Sequence, residues 1–238
     1  MSAGVRSAVI LAGGLGTRLS KAVPGLPKPM APVNGRPFLE HQIDYWIAQG
    51  IDHFVLSVGY RREVIIEHFG ARYRSARIDY AVETAPLGTG GGLLLAIDKL
   101  ADKGPFLLLN GDTFFEVSLD ELADFHLRNR SDWTLSFFST RETGRYMGLE
   151  VAPDGRLLSL RAASDAPKCL ANGGVYLIGP ETLRAPACQQ GTVLSLENDI
   201  MPALLNSGAR LYGHEFHGRF IDIGVPEDYV RSAGILAA

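Results

Sequence analysis

Short apolar segments alternate with helical segments through the first half of the chain, and this alternation restricts the fold more than any other feature. Segments 8–11, 54–58, 78–82 and 106–110 have the length and aliphatic content of buried strands. Segments 38–49, 63–69 and 91–100 lie between them and have helical character. Strands that alternate with helices at this spacing form βαβ units with right-handed crossovers. We therefore expect an α/β fold in which ligands bind at the carboxyl ends of parallel strands.

The second half of the chain is predicted to be richer in β-structure. Segments 134–139, 148–151, 157–161 and 174–178 indicate strands, and Pro153-Asp154-Gly155 is a strong turn between two of them. A helix is predicted over 196–205, strands over 210–215 and 220–223, and a closing helix over 226–236. The pattern predicts a mixed sheet with an appended β-rich subregion.

Composition limits the classes of function that the chain can have. Its 238 residues, 46% of them hydrophobic, suffice for one domain with a substantial core. A net charge of -3 provides no basic surface for nucleic acid. Two cysteines make neither a disulfide framework nor a zinc site, and they suit a reducing compartment. Without a signal peptide or a membrane-spanning segment, we expect a soluble cytoplasmic protein that binds neither nucleic acid nor membrane.

A glycine-rich turn follows the first predicted strand. Gly13, Gly14 and Gly16 allow the backbone to lie close to a ligand. Backbone N–H groups in such a turn, with the side chains of Thr17 and Arg18, suit an anion, and Lys28 adds a second cation. The turn matches neither the dinucleotide fingerprint nor the P-loop. It is either a phosphate-binding turn of another type or only a tight connection.

Two aspartates stand at the ends of apolar strands. Asp112 follows the apolar segment 107–109 and Asn110-Gly111, where a carboxylate can hold a hard cation. Asp222 lies between two isoleucines, an unfavourable place for a charge that has no partner or metal. The alternatives are that Asp112 caps the following turn and that Asp222 belongs to a buried ion pair or caps a helix.

The sequence from 14 to 29, taken as a whole, gives these residues a more specific interpretation. Gly-Leu-Gly-Thr-Arg-Leu at 14–19, followed by Pro27-Lys28-Pro29, resembles the signature of sugar-1-phosphate nucleotidyltransferases. Segment 26–39 is most similar to the D-glycero-D-manno-heptose 1-phosphate guanylyltransferase branch. The resemblance implies a single domain over 1–238 with a three-layer Rossmann-like fold and a mixed, mostly parallel central sheet. The nucleotide-binding half would span about 1–115, and the half with the small β-rich sugar-binding subregion about 116–238.

The resemblance also implies roles for individual residues. It assigns nucleotide binding to Ala12, Gly13, Gly14, Gly16, Thr17, Arg18, Glu83, Gly88, Thr89 and Gly111. It assigns sugar-phosphate binding to Lys168, Asn172, Gly173 and Glu197. Catalytic roles fall on Arg18, Lys28 and Asp112, and Asp112 and Asp222 would hold Mg²⁺. Glu83 either accepts hydrogen bonds from the N1 and N2 donors of guanine or has a structural role.

The activity that follows from the resemblance is nucleotidyl transfer. A sugar 1-phosphate oxygen would attack the α-phosphorus of a nucleoside triphosphate, and pyrophosphate would leave. The favoured pair is GTP with D-glycero-α-D-manno-heptose 1-phosphate, which gives GDP-heptose for a capsule or lipopolysaccharide. The alternative substrates are mannose 1-phosphate or N-acetylmuramic acid 1-phosphate with another base. The sequence leaves undecided whether the protein forms a homodimer. A non-catalytic module that binds nucleotide sugars is a further alternative, against which the joint presence of Arg18, Lys28, Asp112 and Asp222 argues.

Overall fold

A computed structural model describes residues 4–14, 16, 19, 23–142, 146–162, 169–184 and 191–237. The strands are β1 (Ser7–Leu11), β2 (Pro32–Val33), β3 (Arg36–Pro37), β4 (His53–Val58), β5 (Arg72–Tyr73), β6 (Ala76–Val82), β7 (Phe106–Asn110), β8 (Thr113–Phe115), β9 (Trp133–Thr140), β10 (Met147–Val151), β11 (Leu157–Ala162), β12 (Cys169–Ile178), β13 (Leu211–Glu215) and β14 (Phe220–Asp222). The α-helices are α1 (Phe38–Ala48), α2 (Arg62–Phe69), α3 (Gly88–Ala96), α4 (Leu119–Arg128), α5 (Met201–Asn206) and α6 (Pro226–Ile235). Short 3-10 helices span Lys28–Met30, Ile97–Lys99 and Pro180–Arg184, and a π-helical turn spans Leu196–Ile200.

A large mixed sheet forms the centre of the fold. Its strand order is β11-β10-β12-β7-β1-β4-β6-β5, and β9 joins it by pairing with β12 and with β13. The four adjacent strands β7, β1, β4 and β6 are parallel, whereas β12 is antiparallel to β7, β9 and β10. The structure therefore confirms the predicted α/β fold with a mixed central sheet. The parallel pairing places the carboxyl ends of β1, β4, β6 and β7 at one edge.

Helices cover both faces of this sheet. In β1, Ala8 and Ile10 belong to the core on the side of α1 and α2, whereas Val9 belongs to the core on the side of α3 and α5. Alternate residues of a strand point to opposite faces, so a strand that is covered on both sides is apolar at every position. This two-sided burial explains the largely apolar segments of β1, β4 and β7 and gives the predicted three-layer arrangement. No helix in the described ranges is both long enough and apolar enough to cross a membrane.

Two predicted helices and one predicted strand depart most from the predicted boundaries. The strand predicted over 174–178 is β12, which begins five residues earlier, at Cys169. The helix that was predicted over 91–100 begins at Gly88 and ends at Ala96, followed by a 3-10 turn. Glycine has low intrinsic helix propensity, so the sequence pattern placed its first turn in a loop. Packing overrides that preference, because the N–H groups of Gly90 and Gly91 donate to the carbonyl of Leu194. The helix predicted over 196–205 begins instead with the π-helical turn and continues as α5.

A small second sheet was only half predicted. Strand β14 was expected from the sequence, but its partner β8 and the helix α4 were not. Strands β8 and β14 pair antiparallel, with Asp222 opposite Thr113. This pairing joins the end of the chain to the segment that follows β7.

Candidate active site

A cleft of about 610 Å³ opens at the carboxyl ends of β1, β4, β6 and β7. Parallel strands end together at one edge of a sheet, and this is where ligands bind in open α/β folds. The residues that line it are Leu11, Ala12, Gly13, Gly14, Gly16, Lys28, Pro29, Gly59, Tyr60, Arg62, Glu83, Thr84, Ala85, Pro86, Gly88, Thr89, Asn110, Gly111, Asp112 and Gly224. Most of the predicted nucleotide-binding residues are among them. Thr17 and Arg18 lie outside the described residues.

The glycine-rich turn after β1 forms one wall of the cleft. A Cβ atom on Gly13 would collide with Oε1 of Glu83, so a larger residue there would displace the Glu83 carboxylate. A Cβ atom on Gly14 would meet nothing within 4 Å. The absence of a side chain at Gly13 therefore leaves room for Glu83, whereas the space beside Gly14 is open to a ligand.

Lys28 reaches the cleft floor from a short 3-10 helix that is flanked by Pro27 and contains Pro29. Its side chain is only 10% exposed. Gly16, whose φ of 59° lies in the left-handed region, allows the chain to pass Lys28, because a Cβ atom there would lie 3.0 Å from Cβ of Lys28. The turn and the lysine are therefore packed against each other, as the phosphate-binding hypothesis requires.

The structure brings the two predicted aspartates to the same cation. Nζ of Lys28 lies 2.5 Å from Oδ2 of Asp112 and 3.8 Å from Oδ1 of Asp222. The pairing of β14 with β8 produces this arrangement, and the N–H of Ile223 donates to the carbonyl of Asp112 at 3.0 Å. The two carboxylates, distant in the sequence, therefore lie near the same lysine, and their joint binding of a metal ion stays a prediction.

The donor set at this position fits a hard divalent cation. The carboxylates of Asp112 and Asp222 both lie near the ammonium group of Lys28. The space beside them therefore favours positive charge. Within the described ranges, no group of three or more histidine, cysteine, aspartate and glutamate residues could hold a metal ion. Because Mg²⁺ is commonly held by one or two carboxylates with phosphate oxygens and water, a pair suffices when the substrate supplies the rest.

Glu83 lines the cleft beside the glycine-rich turn, directly after β6. Its Oε1 accepts a hydrogen bond from Ser57 at 3.1 Å, and its Oε2 accepts one from the N–H of Leu87 at 3.0 Å. These contacts hold the carboxylate in place and hold the loop that leads into α3. The structural role that was considered for Glu83 is therefore present. A carboxylate has about four lone-pair positions, so acceptor capacity for a ligand remains.

The predicted sugar-binding residues that the structure describes do not line the cleft. Glu197 contacts the hydroxyl of Thr89, a cleft residue, at 3.1 Å and is absent from the cleft lining itself. The amide of Asn172 donates to the hydroxyl of Tyr176 at 2.5 Å, and a Cβ atom on Gly173 would collide with the ring of Phe115. These contacts are with protein groups behind the cleft. Lys168 lies outside the described residues.

The cleft also contains Tyr60, Arg62 and Asn110, to which the sequence assigned no role in binding. Tyr60 and Arg62 follow β4, and Asn110 is the last residue of β7. Oδ1 of Asn110 is buried and has no hydrogen-bond partner among the described residues. The sequence feature that could have identified these residues is their position. Each stands at or just after the carboxyl end of a parallel strand, where ligand contacts concentrate.

A polar cluster adjoins Asn110 on the side of β12. The Tyr176 hydroxyl is fully buried, and burial together with the nearby charges of Glu197 and Asp112 raises its pKa well above the usual range. The tyrosine is therefore a neutral donor and acceptor at all ordinary pH values.

Proteins of known family are similar in sequence to this chain over most of its length. Residues 7–237 match the nucleotidyl transferase family. The D-glycero-alpha-D-manno-heptose 1-phosphate guanylyltransferase of Aneurinibacillus thermoaerophilus is 36% identical over 93% of this chain and 94% of its own length. The mannose-1-phosphate guanylyltransferase of Mycobacterium tuberculosis is 35% identical over 96% of this chain and 64% of its own length.

A solved structure has the same fold. The crystal structure of HddC from Yersinia pseudotuberculosis complexed with GMP-PN superimposes with a TM-score of 0.83 and 30% sequence identity. The alignment covers 97% of this chain and 99% of HddC. A family match over nearly the whole chain and relatives above 30% identity lead to one conclusion: this chain belongs to the nucleotidyl transferase family.

Proposed function

We propose that this chain transfers the guanylyl group of GTP to D-glycero-α-D-manno-heptose 1-phosphate, with release of pyrophosphate. The A. thermoaerophilus relative, which carries this activity in its name, is similar over 93% of this chain and 94% of its own length. HddC, which shares the fold at 30% identity, was crystallised with GMP-PN. The product would be a GDP-heptose, and its use in a capsule or lipopolysaccharide belongs to the same proposal.

The observation that carries the proposal is the meeting of Lys28, Asp112 and Asp222 beside the glycine-rich turn. These residues come from distant parts of the sequence, and a nearly buried ammonium group such as that of Lys28 is unfavourable unless carboxylates or a ligand compensate its charge. In a reaction at phosphorus, a protein contributes chiefly positioning and neutralisation of charge. Lys28, with Asp112 and Asp222 beside the glycine-rich turn, would provide this positioning and this neutralisation of charge.

The reaction assigns a task to each group. The heptose 1-phosphate oxygen attacks the α-phosphorus in line, and the bond to the bridging oxygen of pyrophosphate breaks. Backbone N–H groups of Gly13, Gly14 and Gly16 would hold phosphate oxygens, and Lys28 would neutralise charge on the leaving group. Asp112 and Asp222 would hold Mg²⁺, which when bound supplies electrostatic screening of the triphosphate oxygens. Arg18 and Lys168 would add positive charge at the triphosphate and at the sugar phosphate.

Mannose 1-phosphate is a second candidate acceptor. The M. tuberculosis mannose-1-phosphate guanylyltransferase is nearly as similar in sequence, and this chain spans 64% of that protein's length. Both relatives are guanylyltransferases, so the choice concerns the sugar and leaves the base unchanged.

A matrix of substrates tests the proposal. Four nucleoside triphosphates are combined with heptose, mannose and N-acetylmuramic acid 1-phosphates, and pyrophosphate release is measured with Mg²⁺. We expect the highest kcat/KM with GTP and the heptose phosphate. Turnover that prefers another base, or no turnover with any pair, would refute the proposal. A preference for mannose 1-phosphate with GTP would establish the second candidate.

A pair of variants tests the carboxylate site. Asp112→Ala is expected to lower pyrophosphate release by about 10³-fold or more, because one of the two carboxylates that would hold Mg²⁺ against the triphosphate is lost. Asp124→Ala is the matched control, since Asp124 is exposed on α4 and is absent from the cleft lining. Full activity of a folded Asp112→Ala protein, checked by circular dichroism, would end the assignment of Asp112.

A further inference from the structure

We infer that Arg62 reads the nucleotide base and, together with Glu83, selects guanine. The inference rests on the proposed use of GTP and assigns the residues that make that choice. Arg62 and Glu83 are adjacent cleft residues that follow neighbouring strands, β4 and β6. One presents hydrogen-bond donors and the other presents acceptors.

The turn after β4 is held against the glycine-rich turn. A Cβ atom on Gly59 would lie 3.0 Å from the carbonyl oxygen of Gly13, so the two turns touch through their backbones. The N–H of Tyr60 points towards the same carbonyl at 3.4 Å. Helix α2 begins two residues later, at Arg62. The position of Arg62 relative to the predicted phosphate-binding turn is therefore set by main-chain contacts.

The guanidinium group of Arg62 lies next to the main chain of Glu83. Its Nη1 donates to the main-chain carbonyl of Glu83 at 3.3 Å, and both residues line the cleft. A guanidinium group has five N–H donors in a planar fork, so this contact leaves others available. The neighbouring Glu83 carboxylate accepts from Ser57 and from the N–H of Leu87, and it retains acceptor positions.

This order of donors and acceptors matches the edge of guanine. Guanine carries the O6 acceptor next to the N1–H and N2–H₂ donors, and N7 is a further acceptor beside O6. Arg62 would donate to O6, and Glu83 would accept from N1–H and N2–H₂. Adenine carries a donor where guanine carries O6, so it would place N–H against N–H at Arg62. The pair therefore both attracts guanine and repels adenine.

Tyr60 provides a surface for the flat face of the base. Its side chain is 41% exposed although it lines the cleft, so the aromatic ring is accessible. Stacking on an aromatic ring stabilises any base, whereas hydrogen bonds at the edge discriminate between bases. The cleft thus combines an unselective aromatic contact at Tyr60 with a selective polar contact at Arg62 and Glu83.

The chain offers a matched control in the preceding residue. Arg61 is also an exposed arginine, but it is absent from the cleft lining, and its Nε lies 3.7 Å from Oε1 of Glu63. Arg61→Met and Arg62→Met remove the same charge and nearly the same side-chain volume, one residue apart. Only the second change is expected to affect recognition of the base.

The test compares three nucleotides with each variant. GTP and inosine triphosphate both carry O6, whereas 2-aminopurine riboside triphosphate lacks it. We expect Arg62→Met to lower kcat/KM about tenfold or more with GTP and with inosine triphosphate. With the 2-aminopurine nucleotide, the variant and the unsubstituted protein should differ by less than about twofold. Arg61→Met should match the unsubstituted protein with all three.

Equal losses on all three nucleotides would overturn the inference, because Arg62 would then act on the phosphates or on the fold. A loss of the same size in Arg61→Met would overturn it as well. Dissociation constants for the same nucleotides, measured by calorimetry, separate this inference from the proposed function. If turnover fails in every protein but the O6-dependent loss of affinity at Arg62 persists, the proposed function falls and the base-reading role stands. If affinity shows no such dependence, the base-reading role falls.

Discussion

Replacing Gly111 with alanine should destabilise the protein and disturb the carboxylate site together. Gly111 follows β7, and its N–H donates to the carbonyl of Leu11 at 2.9 Å. A Cβ atom at this position would lie 2.5 Å from that carbonyl oxygen and 3.2 Å from Cα of Ala12. The obstacle is backbone at the end of a central strand, which cannot move aside as a flexible side chain can.

The size of the effect follows from this geometry. Forcing additional atoms into a well-packed core costs about 1–3 kcal/mol, and the upper end applies here because two buried strands must separate. A loss of about 3 kcal/mol is a large part of the 5–15 kcal/mol by which typical domains are stable. For a chain of this length it corresponds to a fall in Tm of about 6–12 °C. Asp112, the next residue, would shift away from Lys28.

Urea denaturation and thermal melting measure the loss of stability, and pyrophosphate release below both melting temperatures measures the effect on the site. Gly104→Ala is the matched control, because a Cβ atom there would meet nothing within 4 Å. We expect the control to lie within about 0.5 kcal/mol of the unsubstituted protein. If Gly111→Ala were equally close to it, the close approach of β7 to β1 would not have the energetic importance that we assign to it.

Three further predictions concern other parts of the chain. Gly14→Ala should change Tm by less than about 2 °C, because no protein atom lies near a Cβ atom at this position. The same substitution should raise the KM for GTP about tenfold, which corresponds to about 1.4 kcal/mol. An unchanged KM would contradict ligand contact at this glycine. Burial lowers the pKa of His126 to about 4, so below its unfolded value near 6.5 the unfolded chain binds a proton that the native protein does not. Stability should therefore fall by about 3 kcal/mol as the pH falls from 7 to 4, and urea midpoints of His126→Asn should show a weaker decline. Lys168→Ala should chiefly raise the KM for the sugar phosphate, and an unchanged value would refute that role.

The fold could be predicted to the extent that its elements have regular local patterns. The parallel strands β1, β4 and β7 are buried on both faces, and their largely apolar segments predicted them with small errors at the ends, whereas β6 includes the exposed Arg77 and the half-buried Asp79. Helix α3 was placed three residues late because its first turn contains glycines, which long-range packing on Leu194 makes helical. Strand β8 has three residues, too few for a periodic pattern, and it exists because β14 pairs with it.

The candidate site divides in the same manner. Local motifs and their resemblance to a family were sufficient to single out the glycine-rich turn, Lys28, Asp112 and Asp222, because their chemistry is visible in the adjacent residues. Arg62 and Tyr60 were not found, since an arginine and a tyrosine after a strand have no distinctive local pattern. Their importance comes from the position of β4 next to β1 and β6.

By itself, the sequence determined which segments become buried strands, which chemistry stands at their ends and which family the chain resembles. These properties depend on side-chain composition over a few neighbouring residues. Only the tertiary structure decided which of those ends meet: it placed Lys28 between Asp112 and Asp222 and Arg62 beside Glu83. The physical reason is that strand order and the β8–β14 pairing depend on the packing of the complete core, and no local pattern encodes the distance between residues that are far apart in the chain.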